Sequence, residues 1–238
     1  TNSLPEETRE EVLRRLGLEN LPRDEMRFDW SDAPSAEAGM ALPDFREELS
    51  SAAKSLWTRR DRPLLAEWLD ENEARLDLAM IASERPRFYR PVVSASDPPT
   101  LGDMIYGWQG EAGHLVKALC ARSTLRAGEG DTDAAISDLL AAHRLARLLG
   151  QYGFLLDQLV SMATSSRACD ATESLLLSGR LSRSLTEALI RKLDSLPPLP
   201  RVADALDRPE RLFWLDGATQ MMRAGTAESY RESRAELA

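Results

Sequence analysis

The chain has only two cysteines and no long apolar run. Cys120 and Cys169 lie in segments with helical periodicity, where free buried thiols are expected more than a disulfide. A membrane-spanning helix requires about 18 apolar residues, and the most apolar stretch here, residues 152–163, contains Asp157 and Gln158. We therefore expect no membrane insertion within this chain. The two cysteines do not distinguish an oxidising from a reducing compartment.

Positive charge is also in deficit. The 238 residues include 30 Lys and Arg against 39 Asp and Glu, which gives a net charge of -9 and a pI near 4.9. The mean field of such a chain repels polyphosphates, so we expect no nucleic-acid partner. The hydrophobic content of 43% is close to the average of globular proteins, and the length suffices for one sizeable core. The composition predicts a single folded domain.

Histidine is too scarce for an obvious metal or catalytic site. Glu111 and His114 form a Glu-x-x-His pair, a spacing that lets both side chains reach one metal in di-iron helical bundles. Such a site needs a second pair, yet His143 has Leu139 and Leu140 where the acid should stand. We expect no metal and no other cofactor, and we expect His143 to be hydrogen-bonded at the edge of the core. Neither histidine has an evident catalytic partner.

Helical periodicity recurs through most of the chain, and no convincing strand pattern interrupts it. We predict that residues 1–40 form a helix and connector packed on the body, that 41–224 form a helical-repeat domain, and that 225–238 form a polar tail. Prolines and polar residues make 85–99 an irregular connection. Within the body, the periodicity predicts helices from about residue 44 to 56, 63 to 83, 100 to 127, 132 to 149, 154 to 177, 182 to 195 and 208 to 223.

The stretch GEGDTDAAISDLLAA, residues 128–142, has the pattern of a bend between two helices. Gly128 and Gly130 end one helix, and Asp131 or Thr132 caps the next. We predict that this second helix buries one face, formed by Ala135, Ile136, Leu139, Ala142, Ala146 and Leu149.

Here the chain resembles a tetratricopeptide repeat over about 35 residues, from 115 to 150. Gly130 and Asp131 match the Gly-Asp turn of that family, and Ala135, Leu139 and Ala142 match small, large and small residues of its second helix. No second copy occurs at the 34-residue spacing. The resemblance implies an all-α fold of stacked antiparallel helical hairpins, as a degenerate right-handed array within a single domain.

Three further motifs are W-T at 57–58, L-x-E-W-L-x-x-N-E at 65–73 and R-P-R-F-Y-x-P at 85–91. Together they resemble an uncharacterised bacterial family of helical proteins, whose longer members usually begin with a short hydrophobic segment. That resemblance implies an exported or membrane-anchored protein, and it implies no activity.

A basic and aromatic cluster in the 85–99 loop is the candidate binding site. Such side chains are enriched at binding hot spots and in cation-π contacts. The alternative is structural, with the aromatic rings plugging the ends of adjacent helices and the arginines pairing with acids. The cluster consists of Arg85, Arg87, Phe88, Tyr89 and Arg90.

These patterns favour a non-catalytic helical-repeat module that binds a protein or peptide partner, because helical stacks create extended concave surfaces. The alternative is a small-molecule or glycan receptor with its pocket near the 85–99 loop. An all-helical metalloenzyme that uses Glu111 and His114 is the third possibility.

Overall fold

The computed structural model of this chain describes residues 42–88, 94, 100–101, 108–151 and 153–224, without the side chains of 42–44, 108–111 and 223–224. The predicted N-terminal segment 1–40, the predicted tail 225–238, Tyr89 and Arg90 lie outside the described residues. The side chain of Glu111 also lies outside them.

The regular secondary structure of the described residues is helical and includes no strand, which confirms the all-α class. None of the helices in this part of the chain is long and apolar enough to cross a membrane. In chain order they are α1 (Leu42–Ala52), α2 (Pro63–Glu71), α3 (Glu73–Ser83), α4 (Trp108–Gly128), α5 (Thr132–Gly150), α6 (Leu155–Leu177), α7 (Arg183–Asp194), α8 (Val202–Ala205), a π-helical turn (Leu206–Glu210) and α9 (Arg211–Ala224).

The core lies where α4, α5 and α6 pack against one another. Hydroxyl groups join these helices: Ser123 Oγ donates to the Ala135 carbonyl at 2.8 Å, and Ser161 Oγ donates to the Ala146 carbonyl at 2.7 Å. Small side chains allow the close approach of the helices. The alanines with no exposed surface at these contacts are Ala118, Ala121, Ala127, Ala135, Ala142, Ala146, Ala168 and Ala171.

The turn between α4 and α5 has the predicted cap. Asp131 is the N-cap residue, and its Oδ1 accepts a hydrogen bond from the Ala134 amide at 3.1 Å. Gly130 has a φ of 95°, which favours glycine. The six residues predicted as the buried face of this helix are all buried, so the prediction for α5 is confirmed from cap to core.

The predicted helix 63–83 is wrong as a single element, because it breaks at Asn72 into α2 and α3. Asn72 has a ψ of 9°, far from the α-helical value. Its side-chain Nδ2 donates to the Trp68 carbonyl at 2.9 Å, and its Oδ1 accepts from Arg75 at 2.9 Å. Asn72 is 2% exposed, and its side-chain amide shares the Trp68 carbonyl with its own backbone amide, so this polar side chain is hydrogen-bonded inside the fold.

Two other predictions need correction. Both cysteines are free and Cys120 is buried, with a pKa raised to about 12 by that burial, but Cys169 is exposed rather than buried. The last predicted helix, 208–223, becomes the π-helical turn followed by α9. Pro209 lies inside that turn, and because proline has no amide donor it interrupts the α-helical ladder there.

Candidate functional site

A cleft of about 430 Å³ opens where α1, α4 and α6 meet. It is referred to below as the α1/α4/α6 cleft. On α6, the lining residues recur at spacings of three and four, which places them on one face of the helix. The lining consists of Ser50 from α1, Ala53 and Lys54 from the turn that follows it, Lys117 from α4, and Ala163, Ser166, Arg167 and Asp170 from α6.

Hydrogen bonds near the carboxyl ends of the three helices fix their relative placement. Thr124 Oγ1 of α4 lies 2.8 Å from the Ala52 carbonyl oxygen, and it accepts a 3.1 Å hydrogen bond from the Trp57 indole. Ser174 Oγ of α6 donates to the Lys54 carbonyl at 2.5 Å. Because the last residues of α1 meet late residues of α4 and α6, the three helices run in the same sense along the cleft.

The side chains around this cleft form a positive patch. Lys117 is half-buried, and burial lowers its pKa, with further lowering from Arg167 and Arg46. Within the described part of the chain, none of Arg46, Lys54, Lys117 and Arg167 lies within 4 Å of an acidic oxygen. The cations in described ion pairs are instead Arg59, Arg62, Arg122, Arg126, Arg144 and Arg183.

His114 lies one turn before Lys117 on α4. Burial, followed by the nearby charges of Lys117, Arg46 and Arg167, lowers its pKa to about 4. The imidazole is therefore neutral near pH 7. A metal ion at His114 would be repelled by the same three cations. No group of three or more His, Cys, Asp or Glu residues in the described ranges is placed to hold a metal.

A second and smaller cleft, of about 200 Å³, touches the predicted loop site. Arg85 lines it, whereas Arg87 is exposed outside its lining. The Phe88 amide donates to Gln151 Oε1 at 2.9 Å, and Gln151 Nε2 donates to the Pro86 carbonyl at 3.3 Å. These bonds tie the start of the loop to the end of α5. The structure thus brings one residue of the predicted cluster, Arg85, into a cleft.

The other arginines of this second cleft are engaged in the fold. Arg147 Nε donates to the Pro197 carbonyl at 2.6 Å, and its Nη1 donates to the His143 carbonyl at 2.8 Å. Arg144 lies 3.7 Å from Glu84. Their hydrogen bonds and ion pair join α5 to the segments on either side. These contacts give Arg144 and Arg147 a structural role.

His143 occupies the predicted position at the edge of the core. It is 5% exposed, and its Nε2 lies 3.0 Å from Thr172 Oγ1. The Thr172 hydroxyl donates its proton to the Ala168 carbonyl at 2.7 Å. The imidazole therefore donates from Nε2, which assigns its tautomer.

Sequence reasoning missed the α1/α4/α6 cleft, because its cations come from helices more than 40 residues apart. The only local signal is in the predicted helix 44–56, where Arg46, Ser50 and Lys54 follow one another at the helical spacing of four. Compared with known protein families, curated proteins and solved structures, this chain gives no match.

Proposed function

We propose that this protein is a non-catalytic helical-repeat module, similar to a tetratricopeptide array, that binds a protein or peptide segment in the α1/α4/α6 cleft. One observation carries the proposal: three helices that alternate with others along the chain line one continuous cleft. In this arrangement α1, α4 and α6 form the inner layer of the array, and α3 and α5 belong to the outer layer.

The packing pairs support this arrangement. The helix α4 packs on both α1 and α6, α5 packs on both α4 and α6, and α3 packs on α5. Inner helices that neighbour inner helices, with outer helices beside outer helices, are the contacts that a stack of antiparallel hairpins requires. Such stacks present their inner helices to extended ligands, which fits a peptide better than a compact small molecule.

Two side chains with catalytic potential are engaged in structural contacts, which supports a binding role. Ser50 Oγ, at the cleft, donates to the Arg46 carbonyl within α1 at 2.7 Å. His143 donates to Thr172 in the core, away from the cleft lining. Neither group is poised to attack or deprotonate a ligand in the cleft.

Selection from a random peptide display library tests the proposal with three forms of the full chain. Ala163→Trp fills the cleft from an exposed position, whereas Met162→Trp adds the same bulk at the adjacent exposed position outside the lining. We expect the native chain and Met162→Trp to enrich the same peptides and Ala163→Trp to lose them. Absence of enrichment, or enrichment that Ala163→Trp leaves intact, would contradict the proposal.

A small polar ligand bound beside Arg85 is the second candidate function. The second cleft supports it, because Arg85 is exposed there and no described acid lies within 4 Å of its guanidinium. Its volume of about 200 Å³ is below the 300 Å³ or so at which ligand pockets usually begin. A thermal-shift screen with sugars, nucleotides and carboxylates tests it. Stabilisation that Arg85→Ala removes and Arg87→Ala retains would favour this function over the first.

A further inference from the structure

We infer that the segment bound in the α1/α4/α6 cleft is an acidic peptide, rich in Asp and Glu and carrying an apolar residue at one end. This inference rests on the proposed function and adds the chemistry of the partner. Two features of the cleft carry it: a row of cations without described acidic partners, and exposed leucines that continue the same face of α6.

The row of cations stands out against the charge of the whole chain. The protein carries a net charge of -9, yet Lys54, Lys117 and Arg167 line one cleft, and Arg46 lies close enough to act on the charge of Lys117. At physiological ionic strength, charges separated by more than about 8 Å are largely screened, so a ligand inside the cleft responds mainly to these cations. The local field therefore attracts negative charge even though the distant field repels it.

Burial makes this attraction stronger than that of a surface lysine. Lys117 is half-buried among two arginines, and its own pKa is lowered by burial and by their charges. A carboxylate placed beside Lys117 relieves both effects, because it replaces lost hydration and offsets the repulsion. The free protein thus holds a cation in an unfavourable setting that an acidic ligand improves.

The spread of the cations favours several single charges over one phosphate group. Arg46 lies in the first half of α1 and Lys54 lies two residues beyond its end at Ala52, and from Arg46 to Ala52 alone the helix extends about 9 Å. Phosphate sites instead converge several donors on one point. Asp170 lies in the lining at the end of the α6 row, where it repels a further negative charge. Successive Asp or Glu side chains match this pattern.

The apolar end of the ligand follows from the face of α6. Leu156 and Leu159 are 44% and 53% exposed, and helical spacing places them on the same face as Ala163 and Arg167. From Leu156 to Asp170 the helix extends about 21 Å, which an extended peptide covers with about six residues. The ligand places its apolar residue near the start of α6 and its acids beside Lys117 and Arg167.

Fluorescence anisotropy with synthetic peptides and the full chain tests this inference. The probe is Leu-Leu-Asp-Glu-Asp-Glu together with its reversed sequence, and the control probes carry Asn and Gln in place of the acids. We expect one acidic probe to bind at least about tenfold more tightly than its neutral control, with an affinity that falls as salt rises. Equal binding of acidic and neutral probes would overturn the inference.

Variants then assign the binding to the cleft. Lys117→Met retains most of the side-chain stem and should weaken the acidic probe about tenfold, whereas Lys192→Met on the exposed face of α7 should leave it unchanged. Arg167→Glu should lower the preference for the acidic probe over a probe with Lys in place of the acids by at least about tenfold, because it removes one cation and adds one anion at the cleft. This shift toward the Lys probe distinguishes a contact from a folding defect, since a misfolded chain binds neither probe. An undiminished acidic preference in Arg167→Glu would overturn the inference.

Two other occupants are separate outcomes that would replace the acidic peptide. Full competition by succinate at the concentration of the probe would identify a small-anion site. A concentration-dependent doubling of mass that Lys117→Met abolishes would identify a second copy of this chain. The library selection separates the two levels of the argument: cleft-dependent peptides that lack acids retain the proposed function and reject this inference, whereas no peptides at all reject the proposed function.

Discussion

Two sets of cations lie on opposite sides of α4, and they differ in how their charge is balanced. Arg122, which is 4% exposed, donates to Asp138 at 2.7 and 3.1 Å and to Asp77 at 3.0 Å. Lys117, about 140° away around the helix, faces the α1/α4/α6 cleft beside Arg167 and has no described acid within 4 Å. The first set is balanced within the fold, and the second is available for a ligand.

The first set, called the balanced set below, consists of Arg122 and Arg126, which pair with a buried carboxylate. Burial raises the pKa of Asp138, and hydrogen bonds from Arg122 together with the nearby charge of Arg126 oppose that rise. Asp138 accepts from both guanidiniums, with Arg126 Nη1 at 3.0 Å. These ion pairs connect α3, α4 and α5. At Asp138 the fold supplies opposite charge to a buried carboxylate, whereas no described acid lies within 4 Å of the cations of the cleft.

The largest effect that we expect is from Arg122→Met. It leaves Asp138 buried with much of its compensation removed, and it should lower the free energy of unfolding by about 3 to 5 kcal/mol. Urea unfolding followed by circular dichroism measures the change. The control is Arg183→Met, which breaks an exposed pair with Glu187 and should cost less than about 0.5 kcal/mol. Equal losses in the two variants would mean that the balanced set is not a structural element.

The next largest effect is a loss of stability at low pH, which arises because the buried His143 does not accept a proton in the folded chain. Burial, followed by the charge of Arg147, lowers the pKa of His143 to about 4, compared with about 6.5 in the unfolded chain. Between these two pKa values the unfolded chain binds a proton at His143 and the folded chain does not. The contribution of His143 to the free energy of unfolding is therefore complete above about pH 6.5 and decreases as the pH falls. From pH 7 to pH 5 we expect His143 to account for a loss of about 2 kcal/mol.

Urea unfolding at several pH values measures this loss. The matched variant is His143→Gln, whose amide can donate to Thr172 without titrating, and it should remove about half of the dependence between pH 7 and pH 5, because His114, with a pKa also lowered to about 4, contributes a loss of its own. An unchanged slope in that variant would show that another group carries the pH dependence.

A smaller effect of opposite sign is expected in the cleft. Lys117→Met removes a half-buried cation that lies beside like charges, so it should leave stability unchanged or raise it by about 0.5 kcal/mol. The same urea experiment measures its free energy of unfolding, for comparison with that of Arg122→Met. A loss above about 2 kcal/mol would show that Lys117 is balanced within the fold, and the contrast between the two sets would disappear.

The smallest effect is a shift in the titration of His114. Because the charges of Lys117, Arg46 and Arg167 contribute to its lowered pKa, Arg167→Met should raise that pKa, while the pKa of His143 should stay constant. Titration of the two imidazoles by NMR measures both in one sample. An unchanged pKa for His114 would show that the positive field of the cleft is screened or neutralised.

The sequence predicts the helices more completely than it predicts the cleft, and the difference is physical. The cap and buried face of α5 depend on neighbours within about one turn, so Asp131 and its successors were predictable. The break at Asn72 coincides with burial and hydrogen bonding of its side-chain amide, and periodicity encodes neither. The α1/α4/α6 cleft depends on which helices become neighbours, and that order is a property of the packed chain.

The candidate loop at 85–99 illustrates the same limit of prediction from sequence. Its arginines and aromatic residues were selected by composition, and composition specifies which contacts are possible without specifying their partners. In the structure, the Phe88 amide is bonded to Gln151, and Arg85 reaches a cleft whose neighbouring arginines are already engaged. Lys117 and Arg167 offered no such local cluster, although the fold brings them together.

The outward face of α6 has a consequence for how this protein tolerates substitutions. Ala163, Ser166 and Asp170 line the cleft from exposed positions, while Ala168 and Leu175 anchor the opposite face of the same helix in the core. Substitutions at the outward positions should cost little stability, since they disturb no packed neighbour. Under the proposed function, laboratory evolution can therefore retarget the cleft through these positions without touching the residues that maintain folding.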